Sequence, residues 1–430
     1  MKILKKIINQ NLFFFIIIFF WFSTSHAYLF WLKSADNSIY NIKQIEKEQK
    51  IQIPMLSYIF DPRNEYSQSI VDWLAKSFWT WKIYHITIPP TWTAKEVANW
   101  SYDKEYLDFF QRIKKQWILV IFRTMHEMNG GRYPWSSDPE NFKKARIHVR
   151  NLSRKAWLTN EQIAFDFSVN HVDMPTNDPY PTQSSKLIEC TPASKITKNC
   201  YTFEDYYPWN SYVDVVWFTF YNWWKATSNR LWLTPYQILY DKRRQTLDRI
   251  KLLWKPIIID EVWTTAVYYT WDYKPEKSLE IYQNEYTRKN VWLNQLKGFL
   301  NSEKLILWVI YFNVDYTYWL ENPYKWEADR AIFNIEKNKT YYGWLDLVAW
   351  WEKLEKSQIY SIFGLKNYNI NGKNILVKIK YYEPLKNYLT TLLTKYQNKS
   401  ELIQFLQSTK SQTTNTELIY MIDKIFEIIN

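Results

Sequence analysis

Two glutamates stand at the ends of apolar runs, each in an unusual local sequence. Glu127 lies in Arg123-Thr124-Met125-His126-Glu127-Met128-Asn129-Gly130-Gly131-Arg132-Tyr133-Pro134-Trp135, just after the apolar stretch Ile118–Phe122. Glu261 lies in Lys255-Pro256-Ile257-Ile258-Ile259-Asp260-Glu261-Val262-Trp263. A pair of carboxyls can break a glycosidic bond when one gives its proton to the leaving oxygen and the other, ionised, acts from the far side of the sugar. The two stand about 5 to 5.5 Å apart when configuration is retained. One glutamate at a strand end is weak ground; two, each in such a setting, are stronger. Rival chemistries find less support. A zinc protease needs a second histidine four residues after the first, and the position that follows His126 by four is Gly130. No Gly-x-Ser-x-Gly nucleophile turn occurs either. Neither a metal nor a cofactor is expected.

The elements that must hold these residues follow a strand-then-helix rhythm. Apolar, β-branched or aromatic runs occur at Tyr28–Leu32, Ile53–Phe60, Ile83–Ile88, Ile118–Phe122, Ile163–Val169, Val213–Tyr221, Pro256–Glu261 and Lys304–Phe312. Helical spacing appears between them at Asp103–Lys115, Glu140–Lys155, Pro235–Leu253 and Pro275–Leu300. Eight strands alternating with helices predict an α/β fold, a (β/α)8 TIM barrel, whose site forms at the C-terminal strand ends. Strands four and seven then deliver Glu127 and Glu261 to one mouth. A doubly wound open sheet is the alternative, but no glycine-rich phosphate loop follows the first strand.

The run His-Glu-Met-Asn-Gly-Gly-Arg-Tyr-Pro-Trp resembles the acid/base motif of glycoside hydrolase family 26. Lys255–Thr264 resembles that family's nucleophile strand if Trp263 is read as glycine. Tyr207–Asn222 is similar to its sixth-strand segment and Trp308–Asn313 to its eighth, so the likeness spans roughly Tyr28 to Asp329. The resemblance implies a retaining β-mannanase with Glu127 as acid/base and Glu261 as nucleophile. It implies His126 as a sugar-binding and orienting residue and Tyr221 as the hydrogen-bond partner of the nucleophile. Arg123 would lie under the site, with a barrel-interior ion pair as the other reading. Trp135 would stack on sugar, or else serve the core; Asn129 and Phe312 complete the substrate-binding set. Many mannan-degrading members carry Trp at the end of the eighth strand, where this chain has Tyr311 and Phe312. Endo-β-1,4-mannan cleavage is therefore expected, with β-1,3-xylan or mixed-linkage β-glucan as alternatives. A non-catalytic carbohydrate-binding barrel at the cell surface is a further alternative, opposed by the retention of both glutamates, His126 and Tyr221.

Composition changes how these motifs are read. The chain has 25 Trp and only 6 Gly in 430 residues, and the two together match the usual glycine share of about 7%. Several of these tryptophans stand where glycine's conformational freedom makes sense, as at Trp79, Trp81, Trp209 and Trp263. The pattern suggests a gene that reads UGA as glycine. A tryptophan-rich carbohydrate-binding surface is the other explanation.

The ends and surface complete the reading. Lys2, Lys5 and Lys6, the apolar core Leu12–Phe22 and the small residues Ser25 and Ala27 predict a secretion signal over 1–27. That core is short of the roughly 20 residues that span a bilayer. The domain plan is a barrel over 28–340 and an accessory segment over 341–430, strand-like at Gly364–Tyr382 and helical at Glu383–Leu406 and Thr416–Ile429. Cys190 and Cys200 suggest a local disulfide, with two separate thiols as the alternative. They fall in a loop of about 40 residues, His171–Tyr212, far longer than the usual connection. That loop is expected to wall the sugar cleft, with Asn170, Asp173 and Asp178 offering groups to hydroxyls. The net charge of +12 is spread along the chain without a nucleic-acid motif. A secreted monomer meeting a polysaccharide, with no nucleic-acid partner and no stable membrane insertion, is the expectation.

Overall fold

The computed structural model describes residues 29–33, 55–59, 69–78, 82–89, 93–178, 186–192, 200–222, 233–264, 291–303, 305–312 and 361–429, with Lys43, Glu46, Lys47, Phe333, Asn334, Lys339 and Thr340. The expected signal segment, Trp79, Trp81 and Asn313 lie outside these residues.

Eight strands run through the described residues of the first three quarters of the chain. They are β1 Leu29–Lys33, β2 Met55–Ile59, β3 Ile83–Ile88, β4 Leu119–Thr124, β5 Ile163–Asn170, β6 Val215–Asn222, β7 Ile257–Thr264 and β8 Ile306–Phe312. All pair in parallel, in the order β1-β8-β7-β6-β5-β4-β3-β2. This is the strand order of an α/β barrel opened between β1 and β2. Those two strands come within 8 Å of one another, yet no ladder joins them among the described residues. The closed barrel expected from the sequence is therefore met in strand number, direction and order, and not in hydrogen-bond closure.

Burial on both faces explains why the strands read as near-continuous apolar runs. Every residue of β3 and all of β5 up to Val169 are buried. The helices supply the outer layer. Asp103–Gln116 buries Tyr106, Phe109, Phe110 and Ile113, the three-and-four spacing of one helical face, with acidic residues in its first turn and lysines in its last. Pro139–Lys155 starts with Pro at its first position and Asp138 as N-cap, whose Oδ1 accepts the Asn141 N–H at 3.2 Å. The single helix expected over Pro235–Leu253 is two, Pro235–Leu239 and Thr246–Lys251. Asp241 breaks it by accepting the Arg243 N–H on its side chain at 2.8 Å, and Gln245 takes the left-handed conformation. Residues 291–302 form the described part of the helix expected before β8.

Ten non-glycine residues among those described have positive φ, and five are tryptophan: Trp100, Trp117, Trp157, Trp209 and Trp254. All five are exposed, from 59% at Trp117 to 86% at Trp254. Trp263, by contrast, lies inside β7 in extended backbone that any residue adopts.

The C-terminal segment forms a hairpin, Leu365–Ile370 with Lys373–Lys378, followed by helices Tyr382–Lys395, Lys399–Gln412 and Thr416–Ile429. The helix Lys399–Gln412 thus runs six residues past Leu406, the end expected from the sequence. Val377, Leu385, Leu406, Ile422 and Ile425 build a core of its own, while Phe363 and Leu365 join the barrel's core. Lys378 Nζ donates to Glu161 Oε2 at 2.5 Å, and Lys380 lies 2.9 Å from Oε1 of the same carboxylate. Partial burial pushes the Glu161 carboxyl up, but these two lysines hold it below its ordinary value. No helix among the described residues is long and apolar enough to cross a membrane.

Candidate active site

Parallel neighbours in a sheet point their side chains the same way, and residues two apart on one strand share a face. The register Thr219↔Glu261 therefore sets the direction of Glu261. One residue before it the ladder slips: Phe218 pairs with Ile259 and Thr219 with Glu261, so Asp260 is an extra residue on β7. Thr219 and Tyr221, two apart on β6, then face the same mouth as Glu261.

Glu261 is partly buried, with its side chain 17% exposed. Tyr221 donates its hydroxyl to Oε2 at 3.0 Å, and Arg123 NH2 lies 3.5 Å from Oε1. Arg123 itself is 1% exposed and donates Nε to Thr87 Oγ1 at 2.6 Å. A buried guanidinium and a hydroxyl donor both favour the anionic carboxylate. The Tyr221 hydroxyl is held well above its ordinary pKa by burial and then by the charge of Glu261, so it stays a donor.

Glu127 sits just past β4 with φ 50° and ψ 36°, a left-handed conformation that a side-chain-bearing residue adopts at a cost. Backbone bonds pin it there, from Glu127 N to Ser168 O and from Gly130 N to Glu127 O, both at 2.8 Å. Its Oε1 accepts the Thr219 hydroxyl and, at 3.2 Å, Asn170 Nδ2. Burial raises the pKa of this carboxyl most; the Thr219 hydrogen bond works against that, and the charge of Glu261 adds to it. Two carboxyls thus share one mouth in unlike surroundings, one inclined by burial to keep its proton and the other facing a guanidinium and a hydroxyl donor.

The structure relocates several expected sugar contacts. Trp135 is 2% exposed, stacks on Tyr133 at 4.6 Å and donates Nε1 to His126 O at 2.8 Å. It has no open face for a sugar, and the expectation of stacking by Trp135 is corrected to a core role under His126. Asn129 is fully buried, with its side chain engaged by Asn170 O, Asn170 N and Asp173 Oδ1 at 2.8, 2.9 and 2.8 Å. It is a loop clamp and not a substrate ligand. Asp173, 3% exposed, accepts Phe203 N at 2.9 Å and Arg249 NH1 at 2.7 Å, which removes it from the hydroxyl-binding set. His126, 9% exposed, meets Tyr133 OH through Nε2 at 3.1 Å beside Glu127. Phe312 ends β8 in register with Lys33. Cys190 and Cys200 form a disulfide, Cα to Cα 5.8 Å, within the long loop after β5. Residues 179–185 and 193–199 of that loop lie outside those described.

Sequence reasoning missed Thr219 and the tie from Asn170 to Glu127. Thr219 had a readable signal, standing two residues before Tyr221 on the same strand face; the Asn170 tie had none, because it depends on how the loop after β4 bends toward β5. Below this layer, His85 lies 3.5 Å through Nε2 from Asp166 Oδ2, 2.9 Å through Nδ1 from Ser57 Oγ, and stacks on Trp217 at 4.1 Å. Among the described residues no group of three His, Cys, Asp or Glu is arranged to hold a metal ion.

No family model matches the chain, and no curated protein matches it. Among solved structures it is similar to a Bacillus subtilis mannanase at 14% identity, over 74% of this chain and 91% of that one, with a TM-score of 0.42. The catalytic domain of the GH26 endo-beta-1,4-mannanase of Bacillus sp. JAMB-750 gives 12% identity, 77% and 87% coverage and a TM-score of 0.48. Native xylanase 10B from Thermotoga maritima gives 13%, 77%, 97% and 0.46. At such identities and overlaps nothing about chemistry follows, and the barrel-like order stands on its own strand pairing.

Proposed function

We propose that this protein is a retaining glycoside hydrolase that cleaves a β-linked polysaccharide, with β-1,4-mannan as its substrate and endo-acting cleavage. One observation carries the reading: Glu127 and Glu261 meet at one barrel mouth, Glu127 inclined by burial to hold a proton and Glu261 facing Arg123 and Tyr221. Glu261 attacks the anomeric carbon, forming an ester bond as the glycosidic C–O bond breaks, and Glu127 gives its proton to the departing oxygen. In the second half Glu127, now a carboxylate, takes a proton from water, whose oxygen displaces Glu261 from the sugar. Tyr221 orients the nucleophile throughout. The choice of mannan comes from the family 26 resemblance of the two glutamate motifs. A leader cleaved after Ala27 would deliver the enzyme outside the cell, where such polymers are met.

The test is incubation with β-1,4-mannan, β-1,3-xylan and mixed-linkage β-glucan, following new reducing ends by proton NMR. Mannan cleavage with the β-anomer appearing first is the expected result. First appearance of the α-anomer would overturn the retaining mechanism, and silence on all three polymers would overturn the glycosidase reading.

A further inference from the structure

Among the described residues the Glu127 carboxyl is held through one oxygen. Oε1 takes both the Thr219 hydroxyl and the Asn170 amide at 3.2 Å, and among the described residues no donor reaches Oε2. The amide cannot be turned around, because Asn170 Oδ1 accepts the Val172 N–H at 2.9 Å and so commits Nδ2 to Glu127. The backbone of Asn170 is clamped in turn by Asn129, which accepts its N–H and donates to its carbonyl. Asn129 leans on Asp173, and Asp173 on Arg249, whose Nε also reaches Glu204 Oε1 at 2.7 Å. A continuous strut thus runs from the helix Thr246–Lys251 to one oxygen of Glu127.

We propose that Thr219 and Asn170 are positioning residues for the general acid, fixing Oε1 as the acceptor oxygen so that the transferable proton is carried on Oε2. The proposal rests on the glycosidase reading above. A carbonyl oxygen accepts hydrogen bonds better than the hydroxyl oxygen of the same carboxylic acid, so two donors on Oε1 place the O–H at the other oxygen. In the first step the Oε2–H bond breaks as the proton passes to the leaving oxygen, which keeps the electron pair of the broken C–O bond. In the second step Oε2 receives a proton from the attacking water. Strand β6 thereby serves both carboxyls from one face, Thr219 acting on Glu127 and Tyr221 on Glu261.

The experiment compares kcat/KM on β-mannan and on 2,4-dinitrophenyl β-mannobioside across pH for the full chain and for Thr219→Val, Thr219→Ser and Asn170→Ala. The activated phenolate leaves without a proton, so a misplaced acid is felt only on mannan. Each of Thr219→Val and Asn170→Ala is expected to lose roughly tenfold or more on mannan, part of the 10² to 10⁴ that general acid catalysis supplies, with the aryl glycoside nearly unchanged. Loss of a donor that stabilises the carboxylate should also move the alkaline limb of the Thr219→Val mannan profile to higher pH, and Thr219→Ser should restore both properties. Equal losses on the two substrates, or an unmoved alkaline limb with no rescue by serine, overturn the proposal. Should Thr219→Val fail to fold, Asn170→Ala decides by the same ratio. A parent protein inactive on both substrates overturns the glycosidase reading and this proposal with it, whereas an active parent with unshifted ratios overturns the proposal alone.

Discussion

At the scale of single residues the two glutamates should separate by role. Glu127→Ala is expected to lose most activity on a polysaccharide, whose alkoxide needs a proton, and to keep far more on an aryl glycoside. Glu261→Ala removes the attacking atom and should be inactive on both, with partial rescue by azide. If both variants show one ratio of aryl-glycoside to polysaccharide activity, the assignment is wrong. As the proposed general acid, Glu127 would act only when protonated; burial raises its pKa, so activity should fall as pH climbs through that raised value. Asp166 gives a second pH effect. Burial pushes its carboxyl up from 3.8 to about 7 against the pull of Arg146 and Arg123. Between those values the folded chain holds a proton that the unfolded chain has lost, so stability declines with rising pH and levels off above about 7. Asp166→Asn should flatten that decline in urea midpoints taken at stepped pH; parallel profiles for the two proteins would sink the account.

At the scale of elements the helix exits are the informative places. Trp117 caps the helix Asp103–Gln116 in the left-handed conformation at φ 55°, and Trp100, Trp157 and Trp254 follow helix ends with φ of 73°, 60° and 54°. These are the positions that glycine usually fills, since a side chain there costs about 1–2 kcal/mol. Trp209, at φ 72° and ψ 156°, lies in a region that is essentially glycine's alone. Peptide mass spectrometry of the protein from its own cells should find glycine at these five positions and an indole at Trp135, which is buried and hydrogen-bonded. Indoles at all five would refute the recoding. Replacing the five by glycine in a heterologous host should raise the melting temperature. Gly131 marks the opposite case: a Cβ there would lie 2.1 Å from Met174 O at φ +65°, where the loop after β4 meets the loop after β5. Gly131→Ala should be strongly destabilising.

At the scale of the whole molecule the candidate site and the C-terminal segment occupy opposite ends of the sheet. Glu127, Thr219 and Glu261 cluster at the C-terminal strand ends, whereas Glu161, which holds Lys378 and Lys380, lies in the turn that enters β5. Removing residues 366–430 should therefore lower the melting temperature by exposing the face around Glu161 and leave kcat/KM on the polysaccharide unchanged. A large loss of kcat/KM in a folded truncated chain would show that the segment reaches the site.

The sequence by itself determined what depends on local pattern. Apolar runs bounded by turns defined all eight strands to within a few residues, since strands buried on both faces cannot alternate in polarity. The three-and-four spacing of Tyr106, Phe109, Phe110 and Ile113 did the same for a helix. Glu127 and Glu261 were legible because each breaks an apolar strand end, and Trp209 because a turn there wants glycine. The split of the helix over Pro235–Leu253 was harder to read, because it depends on the Asp241 side chain folding back onto the Arg243 N–H. What the tertiary structure alone decided is how side chains share partners across strands far apart in sequence. Asn129 and Asp173 look like sugar ligands on paper, but the packing of the β4 and β5 loops leaves them no face to solvent. Trp135 is covered for the same reason, its ring lying flat on Tyr133. Thr219 comes beside Glu127 only once β4, β5 and β6 lie side by side, and the extra residue Asp260 in β7 sets Glu261 opposite it. Pairing register and loop packing are long-range properties, set by which surfaces are jointly removed from water, and no window along the chain contains them.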